Sequence, residues 1–178
     1  MDEALKLENY SYDDYLDIDQ STTENIELID GKIYMMAGAS ALHQDTVLNL
    51  GYLLKNLSKI NQKCLPRIAP FDLKLISNDR INIVQPDLML FCQEDIPCAI
   101  FEVLSPSTAY KDKTVKKELY EANGIREYFL INTEFQIIEK FILEDQKYIY
   151  DKTYGTEESM EIRCLDQKIE VAEVFESL

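Results

Sequence analysis

The chain has 178 residues, is 46% hydrophobic, and carries five glycines and five prolines scattered singly, so the expectation is one globular domain over 1–178 with no linker, repeat or low-complexity tract. No stretch approaches the roughly 20 apolar residues of a membrane span, and Met1 to Lys6 lacks the basic-then-apolar order of a secretory leader; a soluble cytoplasmic protein without membrane partners is expected. A formal net charge of −15 argues against an open duplex-binding face, but the charge is uneven. Residues 1–30 hold ten acids and one lysine, residues 134–178 twelve acids and five bases, and residues 31–133 eleven acids and twelve bases. The acidic ends are read as solubilising, and the middle is close to neutral.

In chain order, Ser11 with Asp14 three residues on predicts a short N-capped helix through Ile18, although the usual Glu or Gln of a capping box is absent. Asp30-Gly31 between two apolar runs predicts an N-terminal hairpin. Val47, Leu50, Leu54 and Leu57 recur at helical spacing, giving a long amphipathic helix over 40–60. Alternation predicts strands near 71–76, 87–92 and 98–104, with 93–97 as a compact connection. A helix over 108–123 stops at Gly124, a buried strand covers 127–132, and alternation over 136–143, 147–154 and 160–164 predicts a C-terminal meander closing in a short helix. The class is α+β, with a central mixed sheet taking in the strands near 71, 87, 98 and 127, flanked by the helices 40–60 and 108–123.

Two acids stand out within that frame. Glu102 lies inside the apolar run Cys98 to Leu104, where a buried carboxylate needs compensation. Asp87 opens the apolar run that ends at Cys92, and four lysines, Lys111, Lys113, Lys116 and Lys117, follow. Paired carboxylates with a basic helper read as a divalent-metal site. Alternation makes this testable: in an antiparallel pair, Asp87 meets Glu102 only if opposed residue numbers sum to 189, and a sum of 190 sends Asp87 to the other face. The competing reading is a turn residue at Asp87, an edge charge at Glu102 and a solvated lysine face. Cys64, Cys92, Cys98 and Cys164 form no C-x-x-C pair and are expected to be reduced core residues. The single histidine, His43, opens the long helix, where its position alone suggests a cap or surface residue. Its solitude excludes a histidine-rich zinc site or an HNH nuclease, and no G-x-S-x-G elbow supports a serine hydrolase.

Glu27 to Gly31, His43-Gln44, Pro86-Asp87, the run Glu102 to Thr108, Asp112 with Lys116, Tyr120 and the run Gly124 to Ile131 occur in an order that resembles the Uma-two family of restriction endonucleases, a branch of the PD-(D/E)XK nuclease superfamily. The resemblance covers roughly residues 10–175. It implies a restriction-endonuclease-like core with the N-terminal hairpin and C-terminal meander as additions, DNA as substrate, Mg²⁺ with Mn²⁺ as a substitute, and a homodimer. Asp87 and Glu102 look like the metal-binding acids, with the Val103 carbonyl as a backbone ligand, Glu27 looks like an additional catalytic acid, and the match at His43-Gln44 implies a structural or substrate-proximal role for His43. The chain departs from the superfamily formula at Leu104, where E-x-K would place lysine, and the lysine function looks displaced to Lys116 on the following helix. Two other classes stay open: a nuclease-fold interaction module without cleavage, and a metal-free carboxylate enzyme such as a glycosidase.

Overall fold

The computed structural model describes residues 9–36, 38–92 and 95–176; the reading of Met1 to Lys6 and the first two residues of the 93–97 connection lie outside them. Helix α1 (Tyr12–Ser21) begins at Ser11, whose hydroxyl accepts the Asp14 amide while Asp14 accepts the Ser11 amide at 2.7 Å. Aspartate thus completes the capping box in place of the longer acid. Strands β1 (Ile26–Ile29) and β2 (Lys32–Met35) turn through Asp30 and Gly31, both at positive φ (48° and 73°). That is the backbone a two-residue hairpin turn of this twist requires.

Helix α2 (Ala41–Asn61) leads to β3 (Leu65–Ile68), β4 (Leu73–Ser77), β5 (Arg80–Val84), β6 (Leu88–Phe91) and β7 (Ala99–Val103). The next helical segment is not uniform. One turn of α3 (Ala109–Lys111) runs into a π-helical stretch, Asp112–Lys116, before α4 (Lys117–Ala122). Strands β8 (Glu127–Asn132), β9 (Ile137–Glu144), β10 (Lys147–Tyr154), β11 (Ser159–Ile162) and β12 (Gln167–Glu170) and a final turn, α5 (Val171–Val174), complete the fold.

The central sheet has six strands in the order β10-β9-β8-β7-β6-β3, antiparallel except for the parallel pair β7–β8 joined through the π-containing helix. The strand predicted near 71 is not in it. As β4 it pairs with β5 in a second, four-stranded sheet, β2-β1-β5-β4, because a tight turn at Asn78 and Asp79, both at positive φ, folds it onto its immediate neighbour. The predicted meander also divides: β9 and β10 extend the central sheet, whereas β11 and β12 form their own ribbon.

Side-chain alternation sorts the core into layers. Leu88, Leu90, Phe101, Val103, Phe129 and Ile131 face α2 and α5, with Phe101 and Phe129 stacked at 4.4 Å between centroids. Met89, Ile100, Tyr128 and Leu130 face the opposite way, packing with Tyr120 of α4 and with Ile29, Leu73 and Val84 of the smaller sheet. The outer face of that sheet, Ile26, Leu28, Ile33 and Ile83, is closed by Tyr15 of α1. At about 1.5–3 kcal/mol for each fully buried large apolar side chain, these three clusters dominate the favourable side of folding. Cys98, which simple alternation from Glu102 would set on the Glu102 face, packs with the α2 layer, because the strand and its alternation begin one residue later.

Candidate active site

The β6–β7 register is Leu88↔Phe101, Met89↔Ile100 and Leu90↔Ala99, each pair summing to the value that opposes Asp87 to Glu102. The two acids lie at the ends of these pairs and are tied together by backbone donors. The Asp87 amide donates to Glu102 Oε2 at 3.3 Å, and the Val103 amide donates to Asp87 Oδ2 at 2.8 Å. Leu104, which stands where the superfamily formula places lysine, is a partly buried apolar contact of the inner cluster.

The missing ammonium arrives from the helix. Lys116 Nζ lies 2.8 Å from Glu102 Oε1, 3.1 Å from Glu27 Oε1 and 3.6 Å from Asp112 Oδ1, and Tyr120 donates its hydroxyl to the same Glu102 oxygen at 2.7 Å. Lys111 donates to the other Glu27 oxygen, Oε2, at 2.9 Å. Lys111 and Lys116 are five residues apart, a spacing that points side chains well away from each other in an α-helix. The π-helical turn between them, with its i→i+5 bonding, brings both onto one carboxylate. Lys113 and Lys117 leave on the other side, the first pairing with Glu139 at 3.2 Å and the second lying over the Phe141 ring. Lys116 is therefore the member of the cluster that meets the strand acid, and the solvated-face reading applies to neither Lys111 nor Lys116, both buried.

Glu27, buried in β1, has both oxygens engaged: Oε1 also accepts the Gln85 amide at 2.9 Å. Burial pushes its pKa up, but the Lys116 and Lys111 ammonium groups outweigh that and hold it below the ordinary glutamate value. Glu102 goes the other way. Burial, reinforced by the charges of Asp112 and Asp87 and opposed by Lys116, pushes it up to about 8. Asp112 is raised as well, first by burial. Burial works against the Lys116 charge, yet the carboxylates around it carry its pKa well above the ordinary lysine value.

His43 belongs to this group and not to a cap. Ser40 is the N-cap, accepting the His43 amide at 3.2 Å, which leaves the imidazole free to enter the site, with Nε2 3.2 Å from Asp87 Oδ2 and the ring against the Val103 backbone. Burial disfavours the imidazolium, but Asp87 more than restores it, so the histidine pKa is raised.

A cleft of about 600 Å³ opens over these groups, lined among others by His43, Gln85, Asp87, Glu102, Lys111 and Lys116. Two buried polar atoms among the described residues have no partner, His43 Nδ1 and Gln85 Oε1, and both belong to residues lining this cleft. Unmet hydrogen-bonding capacity at one concave surface is what a polar ligand or its water would satisfy. Glu102 Oε1 is taken by Lys116 and Tyr120, and Asp87 Oδ2 by His43 and Val103. Glu102 Oε2 carries only the longer bond from the Asp87 amide at 3.3 Å, and it and Asp87 Oδ1 are hard carboxylate oxygens, the donor type Mg²⁺ prefers.

The sequence names Lys111 only as one of four lysines, with no role of its own, and points neither to Gln85 nor to the final placement of His43. The helix irregularity hid the first. The second acts through its backbone amide, which no side-chain pattern reveals.

Comparisons with known proteins agree with this architecture. The Uma2 family model, described as "Putative restriction endonuclease", matches residues 12–172. An uncharacterized protein of Synechocystis, slr1290, is 26% identical over 178 residues, covering 94% of this chain and 92% of its own length. A second from the same organism, sll1609, is 30% identical over 169 residues, covering 88% and 93%. A crystal structure described as "a putative nuclease belonging to DUF820" from Anabaena variabilis superposes with a TM-score of 0.73 at 15% identity, over 93% of this chain and 97% of that one. The last likeness establishes a common α+β fold. With the family match running through nearly the whole sequence, the chain belongs to the Uma2 family.

Proposed function

We propose that the protein is a Mg²⁺-dependent endonuclease hydrolysing DNA phosphodiester bonds, with Asp87, Glu102 and the Val103 carbonyl as metal ligands and Lys116 as the displaced catalytic lysine. The observation that carries this reading is the opposition of Asp87 and Glu102 across one strand pair with the Lys116 ammonium 2.8 Å from the second acid. Mg²⁺, or Mn²⁺ in its place, would supply Lewis-acid polarisation of a phosphate oxygen and acidify a bound water. Lys116 stabilises negative charge developing at the phosphate and orients the attacking water. Glu27 touches no open position and acts as a positioning residue, fixing Lys111 and Lys116 by their ammonium groups. Tyr120 holds the Glu102 rotamer, and His43 stands beside Asp87 where a substrate oxygen would approach.

A glycosidase needs two carboxyls facing each other across a sugar, whereas Asp87 and Glu102 project from adjacent strands of one wall. The net charge of −15 favours a second reading, a nuclease-fold interaction module without cleavage. Incubating the protein with supercoiled plasmid and with single-stranded DNA separates the two. Cleavage that requires Mg²⁺ or Mn²⁺ and stops with chelator supports the nuclease, and intact DNA under every metal condition favours the module.

The Glu102 proton gives a distinct check. With its pKa up to about 8, a cation arriving below that pH must displace a proton, and above it none. Mn²⁺ affinity is therefore expected to fall by up to about tenfold per pH unit as pH drops below 8 and to level off above it. Calorimetric titration across pH 6.5 to 9.5 measures this, and an affinity flat over that range contradicts the assignment of Glu102 as a ligand.

A further inference from the structure

The four cysteines, scattered in sequence, converge at one corner of the α2 face of the central sheet. Cys64 precedes β3 and Cys92 follows β6, so extending the Leu65↔Phe91 register by one pair sets them opposite each other, and they are joined as a disulfide. This corrects the expectation of four separate reduced core cysteines. Cys98 is free and buried, and its sulfur and those of Cys64 and Cys92 all lie within 4.8 Å of one another. Cys164, also free, donates its thiol to the Cys98 carbonyl at 3.2 Å, and its own carbonyl is 3.7 Å from the Cys64 sulfur.

Three sulfurs this close are near what a thiophilic ion needs, since zinc–sulfur bonds of about 2.3 Å in a tetrahedron set sulfurs a little under 4 Å apart. We propose that, once the Cys64–Cys92 bond is reduced, Cys64, Cys92 and Cys98 bind a thiophilic divalent cation of the zinc class with Cys164 as fourth ligand, a redox-gated metal site separate from the carboxylate centre. The electrons and protons balance simply. A dithiol reductant transfers two electrons and two protons to the Cys64–Cys92 bond and becomes a disulfide itself. The cation then displaces the protons of the coordinating thiols into solvent, with no change in its own oxidation state.

Two further features fit. A groove of about 580 Å³ has Cys64 in its lining and gives an entry path to the cluster. Ligand softness also separates the two centres, because thiolates select zinc-class ions whereas carboxylates suit Mg²⁺.

The test uses the full-length protein and Co²⁺ alone as a spectroscopic stand-in for zinc. Reduced, desalted wild type is expected to develop thiolate-to-cobalt charge-transfer absorption saturating at one equivalent and reversed by Zn²⁺. Disulfide-bonded wild type should give none, and Cys98→Ser at least about tenfold weaker binding. Asp87→Asn should leave the band unchanged, so failure here and failure of the nuclease assignment are distinguishable. Reduced wild type that stays colourless overturns the proposal without recourse to any variant, as does an unchanged band in Cys98→Ser.

Discussion

Asp87→Asn is expected to lower Mg²⁺-dependent DNA cleavage by about 10³-fold or more while leaving the fold intact. Removing one of two carboxylates forfeits several kcal/mol of metal-assisted charge stabilisation, and each 1.36 kcal/mol of barrier is a factor of ten. Asparagine retains an oxygen that can accept the Val103 amide now bonded to Asp87 Oδ2, so the β6–β7 junction keeps its hydrogen bond. Nicking rates at saturating Mg²⁺, taken beside thermal unfolding of the same preparations, separate chemistry from stability. A variant that cuts within tenfold of wild type removes Asp87 from the mechanism.

Lys116→Met is expected to lose both activity and stability. The ammonium is buried among Glu27, Glu102 and Asp112, and breaking a buried ionic cluster by deleting one partner costs about 3–5 kcal/mol, because the charges left behind are uncompensated. Lys111 still holds one Glu27 oxygen, which places the expectation toward the lower end of that range. The pH dependence follows from Glu27, whose folded pKa is held below 4.5 in part by Lys116. A depressed acid contributes stability that is present above its unfolded pKa and disappears as pH falls through its folded one. The Glu27 share of the difference between wild type and Lys116→Met should therefore be present near pH 7 and shrink below about 4.5. Denaturant unfolding at several pH values measures it, and a difference below 1 kcal/mol at pH 7 shows that the ammonium does not neutralise the cluster.

Much of this arrangement was legible before any coordinates. The Asp30-Gly31 hairpin, the long helix and the apolar strands carrying Asp87 and Glu102 follow from local rules of turn chemistry and alternation, which neighbours in space rarely override. Alternation also reduced the pairing of the two acids to a single question of parity. The strand near 71 joins the smaller sheet and not the central one, a choice periodicity does not make, since it reports that a segment is extended and half-buried, not which partner it bonds.

By itself the sequence determined most element types, the strand runs that carry Asp87 and Glu102, and those two acids as the candidates, since these depend on side-chain periodicity and on the cost of burying charge. Only the tertiary structure decided that Asp87 and Glu102 share a register, that a π-helical turn sets Lys111 and Lys116 on one carboxylate, that His43 enters the cleft, and that Cys64 and Cys92 meet across β3 and β6. Each of those depends on contacts between residues distant in the chain, where a displacement of one residue along a strand or one added residue in a helical turn reverses the direction of a side chain.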